Sequence, residues 1–440
     1  MGKKGKKKAP RLTVLTYNVY VSNGGWTKDT QGRCARQCAA ILAMEPVPDL
    51  VCLQEAFIKE AQAAYIEKLS SRYDAFSAWA DRREFCHRCA AGVAPAHVVY
   101  GASAACAALA ALARLAARAL PAPMWTVAWL LWAHAIVLGV ASVALIPAVL
   151  RTILVRLNAA PAFGAVTTED VLGTVILVRK EQDDTPSGFA LRPVADSLRA
   201  IRLAKQAGDY SVTKGVVSLV NAWFSETFLH RGLLTLAVDV HRRGGGRGGA
   251  KADAAPALRL LVATGHLQTG VDNPNRIAQV REMAATLEAE AAAVGRRRGQ
   301  GQGEDQESAT VVLAMDCNAD WRRPEMEWLR GADGGYTDSL MELNEALVRG
   351  GGGLTWDNTN PLTQGNLREP DQRTDYVFYQ RRDAAKAAVV ISSLPEDHYR
   401  GHQAGSGARL RAVRSEIVLN HKGCDSDHYG SVADFEVLDD

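Results

Sequence analysis

Hydrophobic and polar positions follow two different periods along this chain. Short runs rich in branched and aromatic residues, such as RLTVLTYNVY at Arg11–Tyr20 and VVLAM at Val311–Met315, are typical of β-strands. The predicted strands are Arg11–Tyr20, Leu50–Leu53, Val171–Val178, Gly215–Val220, Leu233–Val240, Leu258–Ala263, Val311–Met315, Arg373–Tyr379 and Val432–Val437. Apolar residues at helical spacing predict helices over Thr30–Met44, Ala56–Leu69 and Asn275–Val294. Strands that alternate with helices indicate an α/β sandwich.

One region departs from this pattern because it lacks charged residues. Ala90–Ala113 and Met124–Leu150 contain no Lys, Arg, Asp or Glu, and the second run spans 27 residues. A bilayer core is crossed by about 20 apolar residues, and Trp residues near one end are typical of interfacial anchors. If the flanking strands share one sheet, both flanks must lie on the same side of the membrane. We therefore expect a membrane-associated helical hairpin insert over residues 90–155; the alternative is a buried hairpin packed on the domain.

Composition and charge set the remaining boundaries. With 48% hydrophobic residues and a net charge of +3, the chain is neither disordered throughout nor uniformly basic. Five of the first eight residues are Lys, so residues 1–10 form a basic tail that would attract anionic lipid. The catalytic domain is then expected over residues 11–85 and 157–440. Eight Cys and no secretory signal favour a reducing compartment, and basic flanks favour a membrane-associated protein whose catalytic domain faces the cytosol.

Polar residues that directly follow or interrupt buried strands are the candidate chemistry. They are Asn18, Glu55, His266, Asp316 with Asn318, Asp375, and Asp427 with His428. Each alone has an ordinary structural explanation, such as a turn, a helix cap or an ion pair. Together they fall where strand ends of α/β sheets open onto ligand-binding crevices.

The order TYN, QE, HLQ, DxN, DY and SDH along the chain resembles the endonuclease/exonuclease/phosphatase superfamily, and within it the neutral sphingomyelinases. Four features carry the sphingomyelinase resemblance: Asn18-Val19-Tyr20 followed by Asn23–Trp26, His266-Leu267-Gln268, Arg276 with Gln279, and Thr355-Trp356-Asp357 with Asn360-Pro361-Leu362. It implies a four-layer α/β sandwich, interrupted here by the apolar insert. Two positions depart from the superfamily pattern: Met315 stands where glycine is usual before Asp316, and Gly265 where threonine is usual before His266.

Roles for the candidate residues follow from their chemistry and from the resemblance. Glu55 is the leading ligand for Mg²⁺, with Mn²⁺ as the alternative ion, because hard oxygen donors suit both. Asn18 lies beside it, and Asp427 lies next to the metal or within its hydrogen-bonded shell.

The remaining residues would act on the phosphate and on protons. His428 is the natural general base, oriented by Asp375. Asp316 and Asn318 would bind the phosphate and the attacking water, and either Asp316 or His428 takes the proton. His266 would donate to a phosphate oxygen or to the leaving group. Lys214 resembles a lysine near the phosphate, although a solvated loop lysine is as good an explanation.

The resemblance implies a phospholipase C type sphingomyelin phosphodiesterase that releases ceramide and phosphocholine from a membrane phospholipid, with no nucleic acid partner expected. A nuclease or deadenylase of the same superfamily is the first alternative, since Asp375–Tyr379 is similar in those enzymes and the N-terminus is basic. A non-catalytic membrane scaffold is the second, disfavoured because Glu55, Asp316 and His428 are all present. Cys86 and Cys89 precede the insert and are candidates for palmitoylation or simple free thiols.

Overall fold

The computed structural model describes residues 9–21, 29–56, 59–77, 173–181, 187–203, 232–243, 255–268, 275–296, 308–364, 370–380, 410–420 and 425–438. All of them fall in a compact unit drawn from residues 1–80 and 170–440. The basic tail, the insert over residues 90–155, the strand predicted at Gly215–Val220, Lys214, Cys86 and Cys89 lie outside the described residues. Within the described ranges, no helix combines the length and apolar character that a membrane crossing requires.

Thirteen strands in the described residues form two sheets. They are β1 (Leu12–Val21), β2 (Leu50–Ala56), β3 (Tyr73–Ser77), β4 (Val175–Arg179), β5 (Phe189–Pro193), β6 (Arg199–Arg202), β7 (Gly232–Arg242), β8 (Leu258–Gly265), β9 (Thr310–Asp316), β10 (Tyr336–Asp338), β11 (Asp375–Gln380), β12 (Leu410–Val418) and β13 (Gly430–Val437). The first sheet has the order β12-β13-β1-β2-β4-β3. The second has the order β10-β11-β9-β8-β7-β5, and β6 also pairs with β7.

The helices in the described residues are α1 (Thr30–Leu42), α2 (Lys59–Leu69), α3 (Asn275–Arg296), α4 (Pro324–Arg330), α5 (Ser339–Leu343) and α6 (Glu345–Arg349). The sequence analysis did not predict β3, β5, β6, β10, β12 or α4–α6. Among the predicted elements, the difference that bears on the site lies between β2 and α2. The strand continues through Glu55 to Ala56, and α2 begins at Lys59 rather than at Ala56. The carboxylate of Glu55 therefore belongs to a strand end and not to a helix start.

Alternating side chains of β1 pack into two different cores, one on each face of the first sheet. Leu12 and Val14 pack into the core between the two sheets, together with Val312 and Val377 of the second sheet. Leu15, Tyr17 and Val19 point the other way, into the core with α1 and α2. Because successive strand residues point to opposite faces, a strand buried on both sides reads as an almost continuous apolar run.

The second sheet repeats this arrangement on its outer face. Leu261, Leu313 and Met315 pack with Val280 and Met283 of α3. The described residues therefore form helices, sheet, sheet and helices in succession, which confirms the predicted α/β architecture with two sheets.

Candidate active site

Strand direction brings the candidate residues to one edge of the sandwich. β1 runs parallel to β2, and β8 runs parallel to β9, so their carboxyl ends share that edge. Asn18 lies opposite Gln54 in the first pair, and His266 forms an isolated parallel bridge to Asp316 in the second. β11 is antiparallel to β9 and begins at Asp375, directly opposite Asp316.

Asp316 is the meeting point of the two sheets. Its Oδ2 accepts a hydrogen bond of 2.9 Å from Nδ2 of Asn18, and its Oδ1 accepts one of 2.8 Å from the backbone N–H of Asn318. Oδ2 also lies 3.4 Å from Nε2 of His266 and 3.9 Å from Nε2 of His428. The carboxylate is completely buried, so these donors fix its orientation.

Glu55 lies on the other side of His266. Its Oε1 is 3.4 Å from Nδ1 of that imidazole, and it accepts a hydrogen bond from Asn18. Burial, together with the charges of Asp427 and Asp316, raises the pKa of Glu55 to about 8, against the opposing charge of His428. The backbone φ of Glu55 is +61°, in the left-handed region that costs a non-glycine residue free energy. Strained, crowded carboxylates of this kind are typical of functional sites.

His428 forms a buried dyad with Asp375. Nδ1 of the imidazole lies 2.8 Å from Oδ2 of Asp375, and the hydroxyl of Thr374 donates to the same oxygen at 3.0 Å. Burial alone would lower the pKa of His428, but the charges of Asp375, Asp427 and Asp316 together hold it well above its ordinary value. The dyad leaves Nε2 of His428 directed towards Asp316.

Thr355 and Asn360 brace this dyad from the neighbouring segment. The hydroxyl of Thr355 accepts hydrogen bonds from the backbone N–H groups of Thr374 (2.9 Å) and Asp375 (3.1 Å). Nδ2 of Asn360 donates to the carbonyl of Ser426 at 2.8 Å, and the N–H of Tyr429 donates to the carbonyl of Thr355 at 2.7 Å. The segment that resembles sphingomyelinases therefore contacts the loop that carries His428.

Arg276 and Gln279 of α3 form hydrogen bonds to Gln268 of the HLQ segment, and the bonds described for them involve none of the candidate site residues. Arg276, which is 1% exposed, donates to Glu325 at 2.7 Å and to the carbonyl of Gln268 at 3.2 Å. The N–H of Gln268 donates to Oε1 of Gln279 at 3.2 Å. These bonds hold the backbone that follows His266.

Both departures from the superfamily pattern have physical reasons. A Cβ at Gly265 would come within 2.7 Å of the carbonyl oxygen of Gly232, so the close approach of β7 requires glycine there. Met315 is an ordinary strand residue opposite Tyr376 and packs into the core beneath α3. Cys317 is completely buried, and burial raises the pKa of its thiol well above the usual value, so the thiol is neutral.

The structure brings together Asn18, Glu55, His266, Asp316, Asn318, Asp375, Asp427 and His428. Sequence reasoning missed Gln54, whose amide donates to Thr264 at 2.8 Å and to the carbonyl of Ala314 at 3.3 Å, linking the two sheets behind the site. The available signal was its position, a polar residue directly after the apolar run Leu50–Leu53 and before Glu55. Thr374 was also missed, although a hydroxyl next to a buried carboxylate is a common partner.

The donor set fits a hard divalent cation. Glu55, His266 and Asp316 each offer an atom, and these atoms lie within 4.8 Å of one another; Asp316, Asp375 and His428 form a second such group. Burial raises the pKa of Asp427 as it does that of Glu55. Buried carboxylates that face one another are stabilised by a cation bound between them.

No protein-family model matches the chain, and no curated protein matches it significantly. Among solved structures, the chain is similar to an endonuclease/exonuclease/phosphatase family protein from Bacteroides thetaiotaomicron, with 11% identity and a TM-score of 0.45 over 97% of this chain and 95% of that one. It is similar to sphingomyelinase C from Streptomyces griseocarneus, with 15% identity and a TM-score of 0.40 over 97% and 99%.

A third similar structure is the human nocturnin catalytic domain, with 12% identity and a TM-score of 0.41 over 98% of this chain and 94% of that one. At such identities a likeness concerns the fold alone, and TM-scores below 0.5 leave the functional argument to the residues of the site.

Proposed function

We propose that this protein is a divalent-metal-dependent phosphodiesterase and that its substrate is sphingomyelin, hydrolysed to ceramide and phosphocholine. The observation that carries the proposal is the convergence of Glu55, His266 and Asp316 with the Asp375–His428 dyad at one edge of the sandwich. A phosphodiester needs its anionic oxygens neutralised, a water placed in line and a proton supplied to the leaving oxygen.

Glu55 would hold the metal, with Asn18 and Asp427 completing its surroundings, and Mg²⁺ or Mn²⁺ suits this oxygen-rich set. A bound divalent cation supplies neutralisation of phosphate charge and acidification of a water. His266 contacts both Glu55 and Asp316, so its ring lies beside the proposed metal, where it would donate to a phosphate oxygen.

His428 carries the proton in this proposal. Its Nδ1 is held by Asp375, which leaves Nε2 to exchange a proton with the reacting oxygens. The sequence suggested His428 as general base, but its raised pKa favours the protonated ring as donor to the leaving alkoxide. Asp316, oriented by Asn18 and the N–H of Asn318, accepts the proton of the water as it attacks phosphorus, which is the alternative assignment of the base.

A lipid substrate is supported by the apolar surface near this edge. Among the described residues, the exposed large apolar side chains are Ile66, Leu343, Leu347 and Leu362. Leu347 lines a groove of about 550 Å³ that also includes Asp357 and Tyr429, the residue after His428. Leu362 lies two residues after Asn360, whose amide donates to the carbonyl of Ser426. Exposed apolar side chains next to the segment that carries His428 are suited to a substrate presented in a lipid surface.

The test is an assay of the full-length protein with Mg²⁺ on sphingomyelin vesicles and on a polyadenylate strand. We expect phosphocholine release from the vesicles, and we expect a chelator to abolish it. His428→Ala should lower the rate of release by about 10²–10⁴-fold. The exposed Asp74→Asn serves as a matched control and should behave as wild type. Nucleotide release from polyadenylate without phosphocholine release would overturn the lipid substrate. If the protein hydrolyses neither substrate, the proposed phosphodiesterase activity is overturned.

A further inference from the structure

Two polar side chains lie on the buried face of α1, where apolar residues would be expected. Arg33 and Gln37 are 5% and 1% exposed and share this face with Cys34, Cys38 and Ile41. They are one helical turn apart, so they project side by side. A buried guanidinium and a buried amide need partners, and the partners they use are informative.

Both side chains donate to the same two backbone carbonyls. Nε2 of Gln37 donates to Asp425 O at 2.8 Å and to Val19 O at 2.9 Å. Nε of Arg33 donates to Asp425 O at 2.6 Å, and its terminal nitrogen lies 3.5 Å from Val19 O. Two carbonyls from distant parts of the chain are therefore joined through one helix face.

Those two carbonyls belong to the two segments that carry site residues. Val19 directly follows Asn18 near the end of β1, and Asp425 lies two residues before Asp427 and three before His428. The two segments also touch directly, since the hydroxyl of Ser426 donates to Asn18 O at 2.5 Å. The α1 side chains therefore lie behind the site, where they can fix the spacing between Asn18 and His428.

Tyr65 of α2 fixes the orientation of the Gln37 amide. Its hydroxyl is completely buried with the ring and donates to Oε1 of Gln37. With that oxygen accepting, both hydrogens of Nε2 face the two carbonyls, so every polar atom of the amide is used. A chain of hydrogen bonds thus runs from α2 through α1 to the backbone of the site.

We propose that Gln37 and Arg33 are positioning residues for phosphodiester hydrolysis: they hold the His428 loop at its working distance from Asn18 without touching substrate. This inference rests on the proposed function. Effective catalysis requires near-attack geometry, and a misplacement of about 1 Å costs about 10²-fold in rate. The bonds to Val19 O and Asp425 O act on that spacing.

The experiment compares three variants of the full chain. Gln37→Glu preserves the side-chain size but sets an acceptor against two carbonyls, and Tyr65→Phe preserves the ring but frees the amide to rotate. Gln31→Glu is the matched control, because Gln31 lies on the exposed face of the same helix and the substitution introduces the same carboxylate. The readouts are kcat and KM on sphingomyelin vesicles with saturating Mg²⁺, and amide hydrogen exchange of residues 425–430.

We expect Gln37→Glu to lower kcat by about 10–100-fold with KM unchanged and to speed amide exchange of residues 425–430. Tyr65→Phe should lower kcat in the same way but by a smaller factor. Gln31→Glu should match wild type in both readouts. Wild-type kcat in both Gln37→Glu and Tyr65→Phe, or an equal loss in Gln31→Glu, would overturn the inference. If the wild-type protein hydrolyses no phosphodiester, the proposed function fails, and unchanged exchange of residues 425–430 would separately reject the positioning role.

Discussion

Replacing Glu55 by Gln should make the metal-free protein more stable at alkaline pH while removing metal binding. The reason is that Glu55 is buried beside Asp427 and Asp316, which raises its pKa from 4.5 to about 8. The folded protein therefore keeps a proton that the unfolded chain releases. Stability from this group is present below about pH 4.5 and is lost as the pH rises to about 8.

The magnitude follows from that interval. At about 1.4 kcal/mol per pH unit, the interval between 4.5 and about 8 corresponds to at most about 5 kcal/mol. The coupling to Asp427 shares this cost between two carboxylates, so about 2 kcal/mol is expected for Glu55 alone. Because the unfolding entropy of a 440-residue chain is about 0.9 kcal/mol/K, that change moves the midpoint of thermal unfolding by about 2 °C.

The assay is thermal unfolding by circular dichroism at pH 6 and pH 8.5, with chelator and with Mg²⁺. With chelator, wild type should lose more stability between the two pH values than Glu55→Gln does. Mg²⁺ should restore wild type at pH 8.5, by about 2.7 kcal/mol at 100 times its Kd, and should leave Glu55→Gln unchanged. The exposed Glu67→Gln is the control and should follow wild type.

Equal pH dependence in wild type and Glu55→Gln would refute this reasoning, because it would mean that Glu55 does not hold an extra proton in the folded state. A Mg²⁺ response that survives in Glu55→Gln would refute the metal-ligand role instead.

Three further predictions test other parts of the site. Asp375→Asn should lower kcat by about 10²–10⁴-fold, because His428 loses the carboxylate that orients its ring and stabilises the protonated imidazole. An unchanged pH–rate profile would contradict the dyad. Arg276→Met should lower the free energy of unfolding, measured by chemical denaturation, by about 3–5 kcal/mol, because it leaves Glu325 buried without its partner. The double variant that also carries Glu325→Leu should recover much of this loss, and no recovery would show that the pair is not the cause. Cys317 should resist alkylation by iodoacetamide in the native protein and react after unfolding, as peptide mass spectrometry can show, because its thiol is buried and neutral; rapid native labelling would place it at the surface.

The sequence predicts the site well where polar residues interrupt strongly apolar strands. Asp316 ends a strand that is buried along its whole length, and Asp375 begins another. Burying a carboxylate is costly, so a carboxylate beside such a strand indicates a paired or functional group on sequence grounds alone. Antiparallel pairing of β9 with β11 then places Asp375, at the start of one strand, opposite Asp316, at the end of the other.

The sequence predicts edge strands and buried braces poorly. β12 (Leu410–Val418) carries Arg411, Arg414 and Glu416 and lies at the edge of its sheet, so its apolar signal is weak. Arg33 and Gln37 look like polar positions of a surface helix, because their partners are backbone carbonyls that are distant in sequence. Their spacing within the face that holds Cys34 was the available signal, and only tertiary structure shows what it means.

The most direct test of the account is where the protein binds its metal. Crystals of the full chain grown with Mn²⁺ can be measured at an energy where manganese scatters anomalously. The account predicts a strong anomalous peak within bonding distance of the Glu55 carboxylate, beside Asp316 and His266, and no such peak in Glu55→Gln. A peak bound only to other carboxylates, or none at this edge in crystals of protein that hydrolyses phosphodiesters, would contradict the central claim.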